Sequence, residues 1–427
     1  MSRYCPFSTN IYTKLLVFLL LNNGVHALSS NKPAVVASSD ILTFSDLKAR
    51  SLSVEDSIRI ASSFQPSKFN PPTWAKNSHF QTIVGGLYRH SCMYTENNDL
   101  YSNILKSISL HQTVIDGFVD WDDRQRFKTP DGDFFDVDYK YTIGGSERGL
   151  VVMTHGLESS SSSALSRDLA TSYNEIGMDV ACINFRGCSG EPNNTPGSYH
   201  LGFTSDLEQF LEYSRIAFSQ RPVYLSGFSL GANVVVKLLT EVGSDAFDRY
   251  NIHGAAVNAV PLDIKKIAPN LSGSKWEFST LVYGNNLLKK LQGKALGQIE
   301  SLSETPFDLD RVKQSPTIRD FEEASVCVVY GFKDATDYYE QSSVYRHLGE
   351  ITVPLYVINS DDDPFFGGDI KPDIENASKT IKFNFAKHGG HCGFVYHCDN
   401  DKDFDGVKAS WMPSELARFI SHVSESI

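Results

Sequence analysis

The sequence lacks paired cysteines and is short of positive charge. Its seven cysteines are scattered over 427 residues with no Cys-x-x-Cys spacing, which argues against a structural zinc site and against a disulfide scaffold. Lysine and arginine total 39 against 51 acidic residues, a formal net charge of −12. Nucleic-acid-binding proteins usually carry basic faces, so we predict no nucleic-acid partner. The 41% hydrophobic content is typical of a globular protein.

Long apolar runs are also missing. The most apolar stretch near the N terminus, residues 11–21, is interrupted by Lys14 and is too short to span a bilayer comfortably. It follows Arg3 and precedes a small-x-Ala sequence that ends at Ala27, which is the layout of a secretory signal. We predict residues 1–27 as a signal segment, with the protein in the secretory pathway or associated with the ER. The alternatives are a membrane anchor and an organelle-targeting presequence.

The next part of the chain gives little information. Residues 28–69 are rich in serine and weakly periodic, so we predict a loosely ordered lead-in with a short helix within Ser53–Ser63. Residues 70–83 contain a turn and a mixed segment whose residue types alone indicate no chemistry. Residues 91–123 have the polar character of an insertion. We predict that residues 70–427 form one large domain that contains an insertion.

Short apolar runs alternate with helix-like segments from residue 148 onward. Six runs are predicted as strands: Leu150–Thr154, Val180–Phe185, Val223–Ser226, Ala255–Val260, Leu355–Asn359 and Ile381–Phe385. Such strands predict the α/β fold class, with a mostly parallel central sheet and helices on both faces. The alternating Phe134–Tyr141 predicts a half-exposed strand. Residues 262–350 do not follow this alternation of strands and helices, and we predict that they form a helical cap insertion.

One strand leads directly into a Gly-x-Ser-x-Gly motif. The segment Gly227-Phe228-Ser229-Leu230-Gly231 follows the predicted strand Val223–Ser226 and precedes a helical pattern. This strand–turn–helix context is that of a nucleophile elbow, in which the glycines make room for a sharp turn. We therefore predict Ser229 as a nucleophile. The alternative is a chance occurrence of the pentapeptide in a surface turn.

A His-Gly turn supplies the expected oxyanion site. His155 and Gly156 close the strand Leu150–Thr154 and precede Leu157. The backbone N–H groups of Leu157 and Leu230 are predicted to stabilise a tetrahedral oxyanion. A simple strand-ending turn is the alternative explanation.

The remaining partners follow the elbow along the chain. The acidic run Asp361–Asp363 ends one predicted strand, and His391 lies on a glycine-flanked loop after another. The order Ser…Asp…His is that of α/β-hydrolases. Residue types favour Asp363 as the acid, with Asp362 next, and flanking glycines favour His391 over His388. The choice within the acidic run stays open at this level.

The combination of motifs resembles the AB hydrolase 4 family of the α/β-hydrolase superfamily, over residues 70–423. The matching segments are Pro72-Thr73-Trp74, His79-Phe80-Gln81-Thr82, Thr129-Pro130-Asp131-Gly132-Asp133-Phe134, His155-Gly156-Leu157, Asn184-Phe185-Arg186-Gly187-Cys188-Ser189-Gly190, Gly227–Asn233, Thr317-Ile318-Arg319-Asp320-Phe321, Tyr338-Tyr339, Asp362-Asp363-Pro364 and Gly389–Phe394. The resemblance implies an α/β-hydrolase fold with Ser229 as nucleophile, His391 as base and an aspartate of the run 361–363 as acid. The family contains esterases, phospholipases and alcohol acyltransferases.

The residues and the resemblance together predict a serine hydrolase of carboxylic esters. We expect it to cleave lipid-like or medium- to long-chain acyl esters through an acyl-enzyme on Ser229, without a metal or organic cofactor. The expected partner is a small ester or lipid, with peripheral membrane contact as a further expectation. The alternatives are acyl transfer from a thioester to an alcohol, phospholipase activity, and an inactive hydrolase fold that serves as a binding protein.

Overall fold

The computed structural model describes residues 52–93, 120–145, 148–218, 221–273, 279–299, 302, 305–367, 372–397, 407–408 and 410–427. The predicted signal segment, residues 28–51 of the lead-in and residues 94–119 of the predicted insertion lie outside this range. Within the described parts, no helix combines the length and the apolarity needed to cross a bilayer.

The core of the molecule is an eight-stranded sheet. Its strands are β1 Asp123–Lys128, β2 Phe134–Lys140, β3 Leu150–Thr154, β4 Asp179–Asn184, β5 Val223–Phe228, β6 Ile252–Asn258, β7 Leu355–Ser360 and β8 Ile381–Ala386. Their spatial order is β1-β2-β4-β3-β5-β6-β7-β8. Strand β2 pairs antiparallel with both β1 and β4, and all other neighbours are parallel. The predicted mostly parallel sheet is confirmed. A separate two-stranded antiparallel ribbon joins β9 Tyr396–His397 to β10 Val407–Lys408.

The helices in the described residues are α1 Val54–Ser63, α2 Ser78–Met93, α3 Ala164–Glu175, α4 Ser205–Ala217, α5 Leu230–Val242, α6 Ala246–Tyr250, α7 Ile264–Leu271, α8 Asn285–Ile299, α9 Leu309–Gln314, α10 Ile318–Ala324, α11 Val326–Tyr330, α12 Ala335–Ser342 and α13 Trp411–Ser426. Helices α4 and α5 contribute to the core on one face of the sheet. Helices α3 and α13 contribute to the core on the other face.

Strand β3 shows why the apolar runs form a sheet that is covered on both faces. Leu150 and Val152 belong to one core, whereas Val151 and Met153 belong to the other. Successive side chains of a strand point to opposite faces, so an uninterrupted apolar run needs apolar partners on both. All four side chains are fully buried.

The expectation for Phe134–Tyr141 was wrong. The segment predicts a half-exposed strand, but β2 is buried along both faces, and the apolar core covers the face that carries Phe135, Val137 and Tyr139. Its polar face carries Asp136 and Asp138, whose carboxylates are covered by Arg126 at 2.8 Å and Arg124 at 2.6 Å. Ion pairing lets an alternating sequence occupy an interior strand, which alternation alone does not predict.

The short helix predicted within Ser53–Ser63 is confirmed as α1, but residues 52–69 are not the expected loosely ordered lead-in. Helix α1 buries Ile60, and Phe64 directly after it is 3% exposed within the core shared with α13. The Ser67 backbone N–H and hydroxyl donate to the buried Glu415 carboxylate at 2.8 and 2.6 Å. The few apolar residues of this segment therefore pack it against the domain. Its high serine content gave no indication of this packing.

Residues 262–350 connect β6 to β7, and we refer to them as the cap. Helices α7 to α12 lie in this segment, together with a π-helical turn at Thr280–Gly284. The cap has small apolar clusters of its own, one of which includes Leu288, Val312 and Phe321. Of the predicted catalytic residues, Ser229 precedes the cap in the chain, whereas Asp363 and His391 follow it.

Candidate active site

Ser229 stands at a sharp turn between β5 and α5. Its backbone has φ 56° and ψ −125°, a conformation that a residue with a side chain rarely adopts. The Ser229 N–H donates to the carbonyl of Asn258 at 2.9 Å, which ties the turn to the neighbouring strand. Strain of this kind costs about 1–3 kcal/mol and persists only where the surroundings impose it.

The two motif glycines allow β3 to pass close to this turn. A Cβ atom on Gly231 would lie 2.4 Å from the carbonyl oxygen of His155, and one on Gly227 would lie 2.7 Å from Oγ1 of Thr154. Neither position can hold a larger residue without backbone movement. The close approach brings the His155–Leu157 turn beside Ser229.

The structure brings Ser229, His391 and Asp363 into one hydrogen-bonded chain. The Ser229 Oγ lies 3.0 Å from Nε2 of His391, and Nδ1 of His391 lies 2.8 Å from Oδ2 of Asp363. The Asp363 side chain is 1% exposed and that of His391 is 9% exposed. Because a carboxylate only accepts hydrogen bonds, Asp363 places the imidazole proton on Nδ1 and leaves Nε2 free to accept from the hydroxyl.

The other acids of the run have different partners. Asp362 accepts the N–H of Gly390 at 3.0 Å and lies 3.4 Å from Nδ1 of His388. Burial raises the pKa of the Asp362 carboxyl. Only Asp363 of this run makes a hydrogen bond to His391 within the described part of the chain. The side-chain positions distinguish Asp363 from Asp362, a choice that residue types leave open.

An aromatic ring also holds the histidine. Phe365 stacks on His391 with ring centroids 3.9 Å apart and planes inclined by 4°. The Phe365 N–H donates to Oδ1 of Asp363 at 2.8 Å. One residue therefore fixes both the imidazole plane and the second oxygen of the carboxylate.

Helix α2 supports the histidine loop from outside the sheet. The His391 N–H donates to Oγ1 of Thr82 at 2.9 Å, and Gln81 exchanges hydrogen bonds with the backbone of Val395 at 2.6 and 3.0 Å. Arg89 donates to the carbonyls of Cys392 and Gly393. Interpretation of the residue types missed this role. The motif His79-Phe80-Gln81-Thr82 was its only signal.

His155 orients the turn that carries Leu157. Its Nδ1 lies 2.8 Å from the Gly156 carbonyl oxygen, and its Nε2 accepts the N–H of Phe185 at 3.1 Å. Complete burial lowers the pKa of His155 to about 3, so the ring is neutral and Nδ1 is the donor. Because the peptide is trans, the Leu157 N–H points opposite to the Gly156 carbonyl and away from His155.

The second predicted donor belongs to a helix start. Leu230 is the first residue of α5, so its N–H has no carbonyl acceptor within the helix. Leu157 and Leu230 line the same cavity as Ser229. Two backbone donors at this place have the character of an oxyanion site.

A buried ion pair links the cap to the residue after Leu157. Glu158 has φ 52°, and its Oε1 lies 3.2 Å from Nζ of Lys294 on α8. The same Nζ lies 3.1 Å from Sγ of Cys188 and 4.3 Å from the centre of the Tyr199 ring. The two charged side chains are 14% and 10% exposed. Sequence interpretation did not find this contact, because its partners are far apart along the chain.

A cavity of about 320 Å³ opens above Ser229. Its wall is mainly apolar and combines core and cap side chains, among them Leu157, Phe228, Phe365, Ile264, Leu291 and Phe321. Among the described residues that line it, Glu322 is the only carboxylate. In the described ranges, no three His, Cys, Asp or Glu side chains are grouped to hold a metal ion.

Known proteins share this pattern over much of the chain. The Escherichia coli protein named "Putative esterase YheT" is 29% identical over 331 residues, which cover 77% of this chain and 87% of that protein. The Saccharomyces cerevisiae monoacylglycerol lipase is 27% identical over 65% of this chain. The yeast medium-chain fatty acid ethyl ester synthase/esterase 2 is likewise 27% identical over 65% of it. The matches cover only 60% and 63% of these two yeast proteins.

The family assignment rests on a match to more than half of the chain. The model of the Hydrolase_4 family, described as serine aminopeptidase, S33, matches residues 145–383. This range includes β3, the Ser229 turn, the whole cap and the Asp363 loop. The structure agrees with this match, because the chain forms an eight-stranded, mostly parallel sheet with helices on both faces. The chain therefore belongs to the AB hydrolase 4 family of the α/β-hydrolase superfamily.

Proposed function

We propose that this protein is a carboxylic ester hydrolase that cleaves lipid-like acyl esters through an acyl-enzyme on Ser229. The observation that carries the proposal is the hydrogen-bonded chain Ser229–His391–Asp363 at the base of an apolar cavity. The relatives named as esterase and lipase support the reaction class.

The geometry supports one order of proton movements. Ser229 Oγ attacks the ester carbonyl carbon while Nε2 of His391 takes the hydroxyl proton. The carbonyl π electrons move onto oxygen, and the tetrahedral intermediate collapses as His391 protonates the departing alcohol. Water then attacks the acyl-enzyme by the same route and releases the acid. Asp363 holds the imidazole orientation and stabilises the imidazolium that forms twice in each cycle.

Negative charge develops on the carbonyl oxygen in both tetrahedral steps. The backbone N–H groups of Leu157 and Leu230 are the donors that we assign to it. Removing one such donor typically costs about 3 kcal/mol of transition-state stabilisation. The buried His155 fixes the first donor through the Gly156 carbonyl, and the helix start fixes the second.

The cavity supports an apolar acyl group as the main recognition element. Its wall draws aliphatic and aromatic side chains from both core and cap, so an alkyl chain entering it leaves water. Burial of each methylene contributes about 0.8 kcal/mol. We therefore expect activity to rise from short to medium acyl chains until the cavity is filled.

The test is hydrolysis of a series of p-nitrophenyl esters by the wild type and by Ser229→Ala. The variant should lose at least about 10⁴-fold in kcat and all labelling by a fluorophosphonate probe, with an unchanged circular dichroism spectrum. Ser226→Ala changes a serine within β5, three residues before Ser229, and is the control for labelling. Retained turnover in Ser229→Ala would show that another nucleophile acts.

A second candidate is ester synthesis by the same acyl-enzyme, with an alcohol in place of the water. The yeast relative named as ethyl ester synthase/esterase favours it, and the apolar cavity would hold an alcohol near Ser229. Comparing ester formation from an acyl thioester with hydrolysis at matched alcohol concentrations separates the two reactions. A phospholipid panel tests the remaining alternative, which we place third because no cationic side chain is among the described residues that line the cavity.

A further inference from the structure

Glu322 is a carboxyl group in the wall of an otherwise apolar cavity. It lies on α10, and its Oε2 accepts the hydroxyl of Tyr339 at 2.5 Å. Its other oxygen, Oε1, has no hydrogen-bond partner in the described part of the chain. The side chain is half-buried because it faces the same cavity as Ser229.

The neighbouring residue shows that this placement is not a general feature of α10. Glu323 pairs with Arg319 at 3.2 Å and does not line the cavity. Burial raises the pKa of Glu322 to about 7, although the Tyr339 hydroxyl and the nearby Arg319 favour the ionised form. A carboxyl group held out of bulk water is costly unless its oxygens are hydrogen-bonded. Tyr339 meets that need for one oxygen only.

We propose that Glu322 forms a polar subsite that binds a hydroxyl group of the substrate ester. The inference rests on the proposed hydrolase function and narrows its substrate class to acyl esters with a free hydroxyl. That hydroxyl belongs either to the alcohol part of the ester or to the acyl chain. Tyr339 fixes the carboxyl, and Oε1 receives the substrate hydroxyl.

The surrounding charges favour a neutral hydroxyl over a charged group. An anionic phosphate would be repelled by Glu322, and among the described lining residues there is no Lys or Arg to attract it. A cationic group would also be near Arg319, whose guanidinium lies 5.8 Å from the centre of the Tyr339 ring and whose charge Glu323 offsets only in part. A hydroxyl suits both protonation states, because a carboxylate accepts from it and a carboxylic acid also donates to it.

The experiment compares kcat/KM for two isosteric pairs of esters. The alcohol-side pair is 2-hydroxyethyl decanoate and propyl decanoate, and the acyl-side pair is methyl 10-hydroxydecanoate and methyl undecanoate. In one pair, the ratio of the hydroxylated to the plain ester should fall by about tenfold or more from the wild type to Glu322→Leu. The pair that responds identifies the part of the ester that carries the hydroxyl.

Two further variants guard against a folding defect. Glu323→Leu alters the adjacent acid outside the cavity and should keep the wild-type ratio. Tyr339→Phe keeps the ring but releases Glu322 Oε2, and should lower the ratio in the same pair as Glu322→Leu. Equal ratios in the wild type and Glu322→Leu for both pairs would overturn the proposal. So would a loss in Glu322→Leu that is confined to esters with a free amino group, since the subsite would then bind cations.

A binding measurement keeps this result separate from the hydrolase proposal. Affinity for 2-hydroxyethyl decyl ether and for propyl decyl ether is measured by calorimetry, since neither ether can be hydrolysed. The wild type should bind the hydroxylated ether more tightly relative to the plain ether than Glu322→Leu does. Equal relative affinities overturn the subsite. Absence of ester turnover and fluorophosphonate labelling in the wild type contradicts the proposed hydrolase instead.

Discussion

Asp362 and Asp363 are adjacent carboxylates whose side chains have different partners. Asp363 holds His391 at 2.8 Å, whereas Asp362 holds the Gly390 N–H and lies near His388. Asp363 therefore binds the imidazole of His391, whereas the preceding residue, Asp362, binds the backbone of the loop that carries this histidine. At the scale of single residues, the site depends on which of two neighbouring acids faces the ring.

Asp363→Asn should therefore remove most of the activity. The amide can donate where the carboxylate only accepts, so it favours the wrong imidazole tautomer, and kcat should fall by about 10³- to 10⁴-fold. Asp361→Asn is the control and should stay within about threefold of the wild type. Steady-state kinetics on one p-nitrophenyl ester measure both. A greater loss in Asp361→Asn than in Asp363→Asn would contradict the assignment of the acid.

His155 is a second residue whose role depends on its protonation state. The folded ring has its pKa lowered to about 3 by burial, whereas an exposed imidazole titrates near 6.5. Below pH 6.5 the unfolded chain therefore gains a proton that the folded chain does not. The stabilisation from the neutral, buried ring is complete above pH 6.5 and is lost as the pH falls toward 3.

This linkage predicts how a His155→Gln variant behaves in acid. The stability advantage of the wild type over the variant should shrink by roughly 1 kcal/mol for each pH unit between 6.5 and 4. Asp168, whose pKa is raised to about 6, acts in the opposite direction but is common to both proteins. Urea unfolding at a series of pH values measures the difference, with the exposed His347→Gln as control. Parallel curves for the wild type and His155→Gln would show that His155 is not the titrating group.

At the scale of secondary-structure elements, α2 determines where the histidine loop lies. Thr82 accepts the His391 N–H, and Arg89 binds two carbonyls of the same loop while pairing with Asp168 at 2.9 Å. The loop contains several backbone conformations with positive φ, including that of Cys392 at 60°. Contacts from a separate helix hold it in this form.

Thr82→Val tests this support with little change in volume. The His391 N–H loses its acceptor, which should cost about 1–3 kcal/mol of stability and lower kcat by about tenfold with a smaller change in KM. Thr82→Ser keeps the hydroxyl and should restore both values. Thermal unfolding and steady-state kinetics are the measurements. If Thr82→Val and Thr82→Ser behave alike, the hydroxyl does not position the loop.

Helix α8 contacts the turn that carries Leu157, through the ion pair of Lys294 with Glu158. Without Lys294, the carboxylate of Glu158 would stay largely buried and keep the hydrogen bond from the Tyr199 hydroxyl, but it would lose its counter-charge, one residue from the Leu157 N–H. Its negative charge would then oppose the charge that develops on the substrate oxygen. We expect Lys294→Met to lower kcat by about tenfold, and a second change, Glu158→Gln, to recover part of the loss. Lys290→Met alters an exposed lysine of the same helix and should leave kcat unchanged. No recovery in the double variant would mean that the charge of Glu158 is not the cause.

At the scale of the whole molecule, the cavity lies between the sheet and the cap. The sheet supplies Ser229 and its neighbours at the carboxyl ends of the strands, and the cap supplies much of the opposite wall. Neither layer alone encloses an alkyl chain. Substrate selection therefore depends on cap residues such as Glu322, whereas the proton transfers that we propose depend on residues outside the cap.

The predicted signal segment affects where the whole protein is located, and its removal stays a prediction from the sequence. We propose that residues 1–27 direct the chain into the secretory pathway and are removed, so the mature protein should begin at Leu28. N-terminal sequencing of the protein from its natural cells tests this. An intact Met1 would favour the membrane anchor, and a start elsewhere would favour an organelle presequence.

Local sequence determined the sheet, the elbow and the family. Apolar runs of strand length predict the parallel sheet because a strand that is buried on both faces has no polar alternation. The motif glycines predict the turn at Ser229 because side chains are excluded where the Thr154 carbonyl oxygen at the end of β3 would lie 2.5 Å from a Cβ atom on Gly231. These features depend on residues close together in the chain.

Tertiary structure decided which side chains that are distant in sequence are in contact, although the sequence already favoured Asp363 and His391 as partners. The contacts of Asp363 with His391, of Thr82 with the histidine loop and of Lys294 with Glu158 join residues 28, 309 and 136 positions apart. The burial of Asp136 in β2 required Arg126, which is only ten positions away but reaches it through the antiparallel pairing of β1 with β2. A sequence specifies such pairs only through the whole fold, since the energy of a buried charge depends on what the packed chain places beside it.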